Sequence, residues 1–299
     1  MRDRAGTCAP DERCSDRWAH DTTLLRAFGV GLHETIAYLY NEAPSYEAFT
    51  AWVLAHDTAR GNAPDAYDPS ADEAVLSPYD LAFFEEHGYV VVHDAVSPSA
   101  RRAAEEAIWG HLGMDRDDPE SWYTRPNGHS IWVPLLHHDA VWANRCSPRI
   151  RRAFEQLWGR SDLYPTVDQC GFNPPERSDW PFPGPRLHFD CNLTPPVPFG
   201  LQGILYLTDT AANQGAFTCV PGFHHRIDAW LTSFSHDGDP RTFDLYSLDP
   251  KPIAGRAGDL VIWHQALPHG ASRNSATLPR IVQYITYEPT TSNEHDTWT

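Results

Sequence analysis

The second half of the chain is made of short apolar or alternating runs bounded by turn-forming residues. The runs are Leu163–Phe172, Leu187–Leu193, Leu201–Leu207, Ala216–Val220, Asp259–His264 and Arg280–Tyr287. Clusters rich in proline, glycine and asparagine separate them, at 174–175, 213–215, 221–222 and 257–258. Many short strands with such turns indicate a β-sandwich or barrel. Because helical segments come first, we predict a mainly β fold with flanking helices, whose core is a double-stranded β-helix (a cupin-like jelly roll).

Ser-Pro pairs mark helix starts in the middle of the chain. Ser77-Pro78, Ser97-Pro98 and Ser147-Pro148 each place an N-cap hydroxyl before a proline at the first helical position, where the missing N–H costs nothing. We expect the first of these helices to end at Gly88 and the third at Gly159. The β-branched run Tyr89–Val92 predicts a strand directly after the first helix.

The first 74 residues have a helical pattern. Over residues 17–57, apolar side chains recur at three- and four-residue spacing, which predicts a buried stripe. The stripe comprises Leu24, Leu25, Phe28, Leu32, Ile36 and Leu39. A second short helix is predicted to start at Ser45, and the turn-rich stretch 61–70 is typical of a linker. We therefore divide the chain into a helical N-terminal extension, residues 1–74, and a jelly-roll domain, residues 75–299.

Composition disfavours several classes of function. Lys and Arg total 23 against 40 Asp and Glu in 299 residues, and the net charge of −17 repels phosphate backbones and anionic lipid. No apolar run approaches the roughly 18–20 residues that span a bilayer, and the N-terminus lacks an apolar signal region. The six cysteines form no CxxC pair, so no zinc knuckle or disulfide framework is indicated. We expect a soluble, cytoplasmic protein that binds a small molecule and neither nucleic acid nor membrane.

Sixteen histidines raise the question of a metal site. His188 and Asp190 lie two residues apart in a predicted strand, so their side chains point to the same face and offer two metal ligands. Either His264 or His269, in the polar bend after a buried strand, could complete the set. Two histidines and one carboxylate leave three coordination positions open, which suits an Fe(II) ion that must bind a cosubstrate and O₂.

Arg280 opens an otherwise apolar, alternating strand. Its burial costs free energy unless an anion meets it, and its planar guanidinium suits a carboxylate. The alternative is an arginine at a strand edge that pairs with a surface acid.

Taken together, these segments resemble the phytanoyl-CoA dioxygenase family of Fe(II)- and 2-oxoglutarate-dependent oxygenases over about residues 78–290. The matching pieces are Asp80–Val92, Phe172–Pro175, His188-Phe-Asp190, Leu207–His224, Gly258-Asp259, His269-Gly270 and Arg280. Their order and spacings fit the family, including the eleven residues from His269 to Arg280.

The resemblance implies that His188, Asp190 and His269 bind the iron and that Arg280 binds the distal carboxylate of 2-oxoglutarate. Gln202 would be a further hydrogen-bond partner of the cosubstrate. Fe(II), 2-oxoglutarate and O₂ are the implied cofactors. Because halogenating relatives have a small residue in place of the carboxylate ligand, Asp190 favours oxygenation over halogenation.

The resemblance gives the other histidines no part in the chemistry. It leaves His264 at a strand end where the family tolerates varied residues, and it places His224 in a structural Pro-Gly-x-His turn. We expect His225 to be solvated. His137-His138-Asp139 looks like a ligand cluster, but adjacent side chains point apart, so we expect a loop.

Three features depart from the family pattern. Phe223 stands where the turn usually has serine, and Ala271 stands where a hydroxyl residue is common, with Ser272 one step later. A second contact to the cosubstrate's carboxylate therefore stays open. The first 75 residues exceed the usual family start, and either capping of the active-site mouth or self-association into a homo-oligomer would account for them.

The expected reaction is hydroxylation of an unactivated C–H bond with release of succinate and CO₂. Desaturation, epoxidation or ring formation would use the same iron site. Two alternatives from other classes are a non-catalytic, cupin-like metal-binding protein and a zinc hydrolase, and neither gives Arg280 a role. Aromatic residues in predicted loops suggest a small, largely apolar substrate, and we expect an intermediate of specialised (natural-product) metabolism. These residues are Trp122, Tyr123, Trp132, Trp142, Trp180 and Phe199, of which half are expected to be ordinary core.

Overall fold

The computed structural model describes residues 24–25, 28–60, 74–124, 128–234 and 238–290. The helices are α1 (Leu32–Glu42), α2 (Tyr46–Arg60), α3 (Pro78–His87), α4 (Pro98–Leu112), α5 (Asp139–Arg145), α6 (Pro148–Trp158) and α7 (Ile227–Thr232). The strands are β1 (Tyr89–Val92), β2 (Trp132–Val133), β3 (Leu163–Pro165), β4 (Cys170–Asn173), β5 (Leu201–Tyr206), β6 (Phe217–Cys219), β7 (Lys251–Ile253), β8 (Leu260–His264), β9 (His269–Ala271), β10 (Arg280–Tyr284) and β11 (Tyr287–Pro289). Within the described ranges, no helix is both long enough and apolar enough to cross a membrane.

The strands pair antiparallel into a large and a small sheet. The large sheet has the order β1-β8-β5-β10-β4-β2, and the small sheet has the order β7-β6-β9. Strands β3 and β11 form a separate pair. The prediction of a mainly β fold with flanking helices is confirmed.

Side chains on the central strands of the large sheet alternate between its two faces and so pack into two separate hydrophobic clusters. On β5, Ile204 and Tyr206 face the small sheet, where they pack in one cluster with Phe217. Leu205 belongs to the second cluster, which the helices cover on the opposite face of the sheet. β8 and β10 alternate in the same way, since Val261 and Val282 join the first cluster. Every second residue of these strands therefore points into the space between the two sheets.

The three helices predicted from Ser-Pro pairs are confirmed. Ser77, Ser97 and Ser147 each accept a hydrogen bond from the backbone N–H three residues later and so cap α3, α4 and α6. Gly88 and Gly159 end the first and third of these helices with φ of 75° and 65°, in the left-handed region that glycine adopts most easily. The predicted strand after Gly88 is β1, which pairs with β8.

The prediction of a strand over Leu187–Leu193 is wrong. Within this segment only His188 forms a β-bridge, to His269. Pro185 precedes the segment and Pro195 follows it, and neither has the backbone N–H that a longer ladder needs. The segment therefore forms a single antiparallel β-bridge to β9, at the edge of the small sheet, and bends away on both sides.

The predicted helical segment over 17–57 is interrupted in the structure. The chain turns at residues 28–31, where Gly29 has a φ of 70°, and α1 begins only at Leu32. Glycine breaks the helix here because it readily adopts this conformation. Leu24 of the predicted stripe is exposed, whereas Leu25 packs in a small cluster with Val53.

The second helix of the N-terminal region is confirmed. It follows Ser45, whose hydroxyl accepts a hydrogen bond from the backbone N–H of Ala48 at 3.2 Å. Residues 17–23 of the predicted helical segment and the predicted linker 61–70 lie outside the described residues. The boundary near residue 74 stays a prediction.

Candidate active site

His188 and His269 are held side by side by their own backbones. The N–H of His188 donates to the carbonyl of His269 at 2.8 Å, and the N–H of His269 donates to the carbonyl of His188 at 3.0 Å. The two imidazole centroids lie 4.7 Å apart as a result. This reciprocal pair fixes both side chains on the same side of the small sheet.

Both imidazoles present the same nitrogen to the space between the sheets. Nδ1 of His188 lies 2.7 Å from the carbonyl of Arg186, and Nδ1 of His269 lies 3.0 Å from the carbonyl of Leu267. A carbonyl can only accept, so each Nδ1 carries a proton, and Nε2 is the nitrogen of each ring that a metal can take up in place of a proton.

Asp190 completes the group from the bend after His188. Its two carboxylate oxygens lie 3.2 Å from Nε2 of His188 and 3.2 Å from Nε2 of His269. Burial raises the pKa of Asp190, but the hydrogen bonds with the two histidines outweigh it and hold the pKa well below its ordinary value. The carboxylate is therefore ionised at neutral pH.

These three side chains fit an iron ion. One ligand atom from each lies within 4.8 Å of the other two. Two imidazoles and one carboxylate on one side of a metal leave positions open for a cosubstrate and O₂, as in non-haem Fe(II) oxygenases. The structure thus brings together the three residues for which the sequence predicted iron binding.

Gln202 lies directly beside Asp190. Its amide Nε2 donates to Oδ2 of Asp190 at 2.9 Å, and its Oε1 accepts from the indole Nε1 of Trp263 at 3.1 Å. The indole fixes which end of the amide faces the carboxylate. In this structure both polar ends of Gln202 are engaged within the protein, so it contacts Asp190, a predicted metal ligand.

Arg280 lies at the base of the same space, on β10. The residue is fully buried, and none of its three guanidinium nitrogens makes a hydrogen bond of ordinary geometry to the described residues. Buried polar groups nearly always have partners, so a guanidinium in this state fits an anionic ligand with two oxygens. The alternative of an edge arginine with a surface acid does not hold, because β10 lies between β5 and β4 inside the sheet.

A single cavity of about 540 Å³ connects these groups. All five residues predicted for the site line it: His188, Asp190, Gln202, His269 and Arg280. Its other walls include four aromatic side chains, Trp132, Phe217, Trp263 and Tyr284, and residues 30–32 at the start of α1. Burial raises the pKa of the Tyr284 hydroxyl even with Arg280 close to it, so that side chain is neutral.

Three of the four cavity aromatics, Phe217, Trp263 and Tyr284, were not predicted from the sequence, although strand parity could have identified the last two. Tyr284 lies on the same face of β10 as Arg280, four residues along, and Trp263 pairs with Gln202 across β8 and β5. Of the six aromatic residues predicted in loops, Trp132 lines the cavity, whereas Trp122 and Trp180 are buried core.

The remaining predicted histidines lie outside the cavity. His264 is at the end of β8, where its Nδ1 accepts from the N–H of Ala266, and burial lowers its pKa to about 4. His224 and His225 both contact the carbonyl of Glu85 through Nε2, at 3.0 and 2.8 Å, and so attach the turn to α3.

The expected loop at His137-His138-Asp139 is a helix start. His138 caps α5 by accepting from the N–H of Ala140, and Asp139 is the first residue of that helix. The helix forms because an imidazole can take the capping position usually filled by a hydroxyl or carboxylate. His137 points elsewhere and contacts Glu34.

The residues after His269-Gly270 add no hydroxyl to the site. Ala271 lines the cavity, and the hydroxyl of Ser272 donates to the carbonyl of Ala216 at 3.2 Å.

Comparisons with known proteins agree with this geometry. A sequence model described as phytanoyl-CoA dioxygenase matches residues 84–282. A curated relative from Dictyostelium discoideum, which carries the name of a phytanoyl-CoA dioxygenase, is 24% identical over 72% of this chain and 76% of its own.

Solved structures share the fold. SnoK, a non-haem, α-ketoglutarate-dependent carbocyclase from nogalamycin biosynthesis, has a TM-score of 0.51 at 21% identity, over 72% of this chain and 84% of its own. The epimerase SnoN from the same biosynthesis has a TM-score of 0.52 at 20% identity, over 74% and 84%. EctD from S. alaskensis has a TM-score of 0.50 at 18% identity, over 73% and 79%.

Proposed function

Because the chain belongs to the phytanoyl-CoA dioxygenase family and is a non-haem iron, 2-oxoglutarate-dependent dioxygenase, we propose that it oxidises an unactivated C–H bond of a small, largely apolar molecule. The cofactors of this class are Fe(II), 2-oxoglutarate and O₂. The outcome we propose is hydroxylation, with release of succinate and CO₂.

Arg280 is the observation that carries the proposal. A buried guanidinium that makes no hydrogen bond of ordinary geometry to the described residues, and that has the neutral hydroxyl of Tyr284 beside it, lines the same cavity as a His-Asp-His group. A non-catalytic metal site and a zinc hydrolase both lack a use for this cation. A dicarboxylate could bind the metal through one carboxylate and Arg280 through the other. The second carboxylate would accept two parallel hydrogen bonds from the guanidinium.

Each polar residue then has a definite task. His188, Asp190 and His269 would hold the iron, and Arg280 would anchor and orient 2-oxoglutarate. Gln202 would keep the Asp190 carboxylate turned toward the two imidazoles. Bound iron, with 2-oxoglutarate and O₂, supplies the oxidising power that breaks the C–H bond. The aromatic walls exclude water and present an apolar surface to the substrate.

The cavity favours an apolar organic substrate of modest size. Its aromatic walls suit apolar or ring-containing molecules, and its volume of about 540 Å³ must also hold the cosubstrate. We therefore propose an intermediate of specialised metabolism. Ring formation on the same iron site would need the same residues, so mass spectrometry of the product decides between a gain of one oxygen atom and a loss of two hydrogens.

Anaerobic spectroscopy tests the cofactor assignment directly. Addition of Fe(II) and 2-oxoglutarate to the metal-free protein should produce a visible charge-transfer band, and Asp190→Ala should abolish it. His111→Ala serves as a control, since His111 is an exposed residue of α4, and it should keep the band. Absence of the band in the wild-type protein, together with no succinate formation in air, would contradict the proposal.

A further inference from the structure

A second group of possible metal ligands lies outside the cavity. Glu34 of α1, His56 of α2 and His137 from the segment before α5 place one ligand atom each within 4.8 Å of the other two. None of these residues belongs to the iron site. The three come from positions far apart in the chain, so the fold itself assembles the group.

The contacts of each side chain are consistent with metal binding. Nε2 of His137 lies 3.0 and 2.9 Å from the two carboxylate oxygens of Glu34. Nδ1 of His56 lies 2.7 Å from the carbonyl of Trp52, one turn earlier in α2. That hydrogen bond places the proton on Nδ1 and leaves the Nε2 lone pair of His56 available, as in most metal-binding histidines.

Glu34 is prepared to bind a cation. The backbone N–H of Gly31 and Nε2 of His137 both donate hydrogen bonds to the Glu34 carboxylate, which holds that carboxylate toward His137. Among the described residues, the ion pair of Glu34 is with His137, and no arginine or lysine takes the place of a metal. The side chains of Glu34 and His137 are 18% and 36% exposed, so an ion can enter from solvent.

From this arrangement we infer that Glu34, His56 and His137 form a second, zinc-binding site. Two imidazoles and one carboxylate are a ligand set that Zn²⁺ accepts, with water in the fourth position. Bonds of about 2.0–2.2 Å in a tetrahedron require ligand atoms about 3.3 Å apart. Small side-chain rotations achieve this from the present distances.

The site would fasten the N-terminal helices to the oxygenase core. Residues 30–32, at the start of α1, form part of the cavity wall. An ion shared by α1, α2 and the segment before α5 would hold that wall in place. The ion would thus have a structural task, separate from the chemistry at His188, Asp190 and His269.

Metal stoichiometry of the full chain tests the inference. After removal of metals with a chelator, the protein is dialysed against Zn²⁺ and its bound zinc is measured by mass spectrometry. We expect two equivalents for the wild-type protein, because the iron ligands also bind Zn²⁺. His56→Ala, His137→Ala and Asp190→Ala should each bind one equivalent, and Asp190→Ala combined with His137→Ala should bind none.

Milder variants and a control keep the result interpretable. Glu34→Gln preserves the side-chain shape and should weaken zinc binding at this site by at least about tenfold. His111→Ala removes a surface histidine and should keep two equivalents. Zinc should raise the melting temperature of Asp190→Ala and leave that of the double variant unchanged. A single equivalent in the wild-type protein that is lost in Asp190→Ala, or two equivalents retained in His56→Ala and His137→Ala, would overturn the inference.

Discussion

Gln202 shows how one neutral side chain can set the geometry of a charged one. Its amide joins the indole of Trp263 to the carboxylate of Asp190. Asp190 is the most exposed member of the candidate iron-binding group, at 45% of its side chain, whereas His269 is 5% exposed. A carboxylate on a bend needs such a partner, because its own backbone does not fix its orientation.

Replacement of Gln202 separates two possible tasks. If the amide orients Asp190, Gln202→Ala should reduce iron affinity by about 10- to 100-fold, with the KM for 2-oxoglutarate changed less than about twofold. Gln202→Glu should reduce the iron affinity further, since a second carboxylate then faces Asp190. Iron titration and steady-state kinetics measure the two quantities. A raised KM at unchanged iron affinity would instead support the sequence prediction that Gln202 binds the cosubstrate.

Substitution of Arg280 should act on the cosubstrate. Arg280→Gln removes charge-assisted hydrogen bonds, each worth about 1.5–3 kcal/mol, so the KM for 2-oxoglutarate should rise by about 10- to 100-fold or more. Arg280→Lys keeps the charge without the planar fork and should give a smaller rise. Succinate formation at varied 2-oxoglutarate measures this. Equal KM values in all three proteins would exclude Arg280 as the anchor.

At the scale of the elements, the site depends on the close approach of β9 and the segment around His188, which run antiparallel side by side. A Cβ atom added at Gly270 would lie 2.7 Å from the carbonyl oxygen of Arg186, a backbone atom that cannot move aside alone. The β-bridge that places His188 and His269 side by side therefore requires glycine at position 270.

Gly270→Ala should push β9 and the segment around His188 apart. We expect a loss of about 1–3 kcal/mol in the free energy of unfolding, together with weaker iron binding. Gly110→Ala is the matched control, because an added Cβ there meets nothing within 4 Å, and in α4 it should be neutral or stabilising by up to about 1 kcal/mol. Urea denaturation compares them. If Gly270→Ala and the wild-type protein had equal free energies of unfolding, the backbone at Arg186 would move aside without cost.

The elements that the sequence predicts correctly have local causes. The caps at Ser77 and Ser147 and the stop at Gly159 depend on residues within one turn of the helix. The strand expected over Leu187–Leu193 fails because strand formation needs a partner along its whole length, and the structure provides one only at His188. Strand parity still led to His188 and Asp190, since both side chains turn toward His269.

The grouping of His188, Asp190 and His269 could be predicted because these residues form a recognisable pattern along the chain, whereas the grouping of Glu34, His56 and His137 could not. Glu34 and His137 are 103 positions apart, and nothing in the sequence around either one indicates the other. In the sequence, His137 and His138 stood out because they are adjacent to each other and to Asp139. In the structure, His137 contacts Glu34, whereas His138 caps α5.

For the whole molecule, His264 links stability to pH. Burial lowers its pKa from 6.5 to about 4, and the nearby His224 and His225 add to this. The unfolded chain binds the proton near pH 6.5, whereas the folded protein resists it until about pH 4, so acidification through this window favours unfolding.

His264→Asn removes this titration and keeps an acceptor for the N–H of Ala266. The free energy of unfolding should therefore fall less between pH 7 and pH 4.5 in the variant than in the wild-type protein. Urea denaturation at a series of pH values measures the difference. If the free energies of unfolding of the two proteins changed in parallel with pH, His264 would have the same pKa in the folded and unfolded states.

The cavity wall has two origins, and this has an evolutionary consequence. Strands β9 and β10 supply His269 and Arg280 and the segment beside β9 supplies His188 and Asp190, whereas residues 30–32 reach the cavity from the N-terminal region and include none of these candidate ligands. Mutations in that short stretch can reshape the space for the substrate while the catalytic scaffold keeps its sequence. Exchange of this stretch between homologues is thus a route by which one scaffold can acquire new substrates.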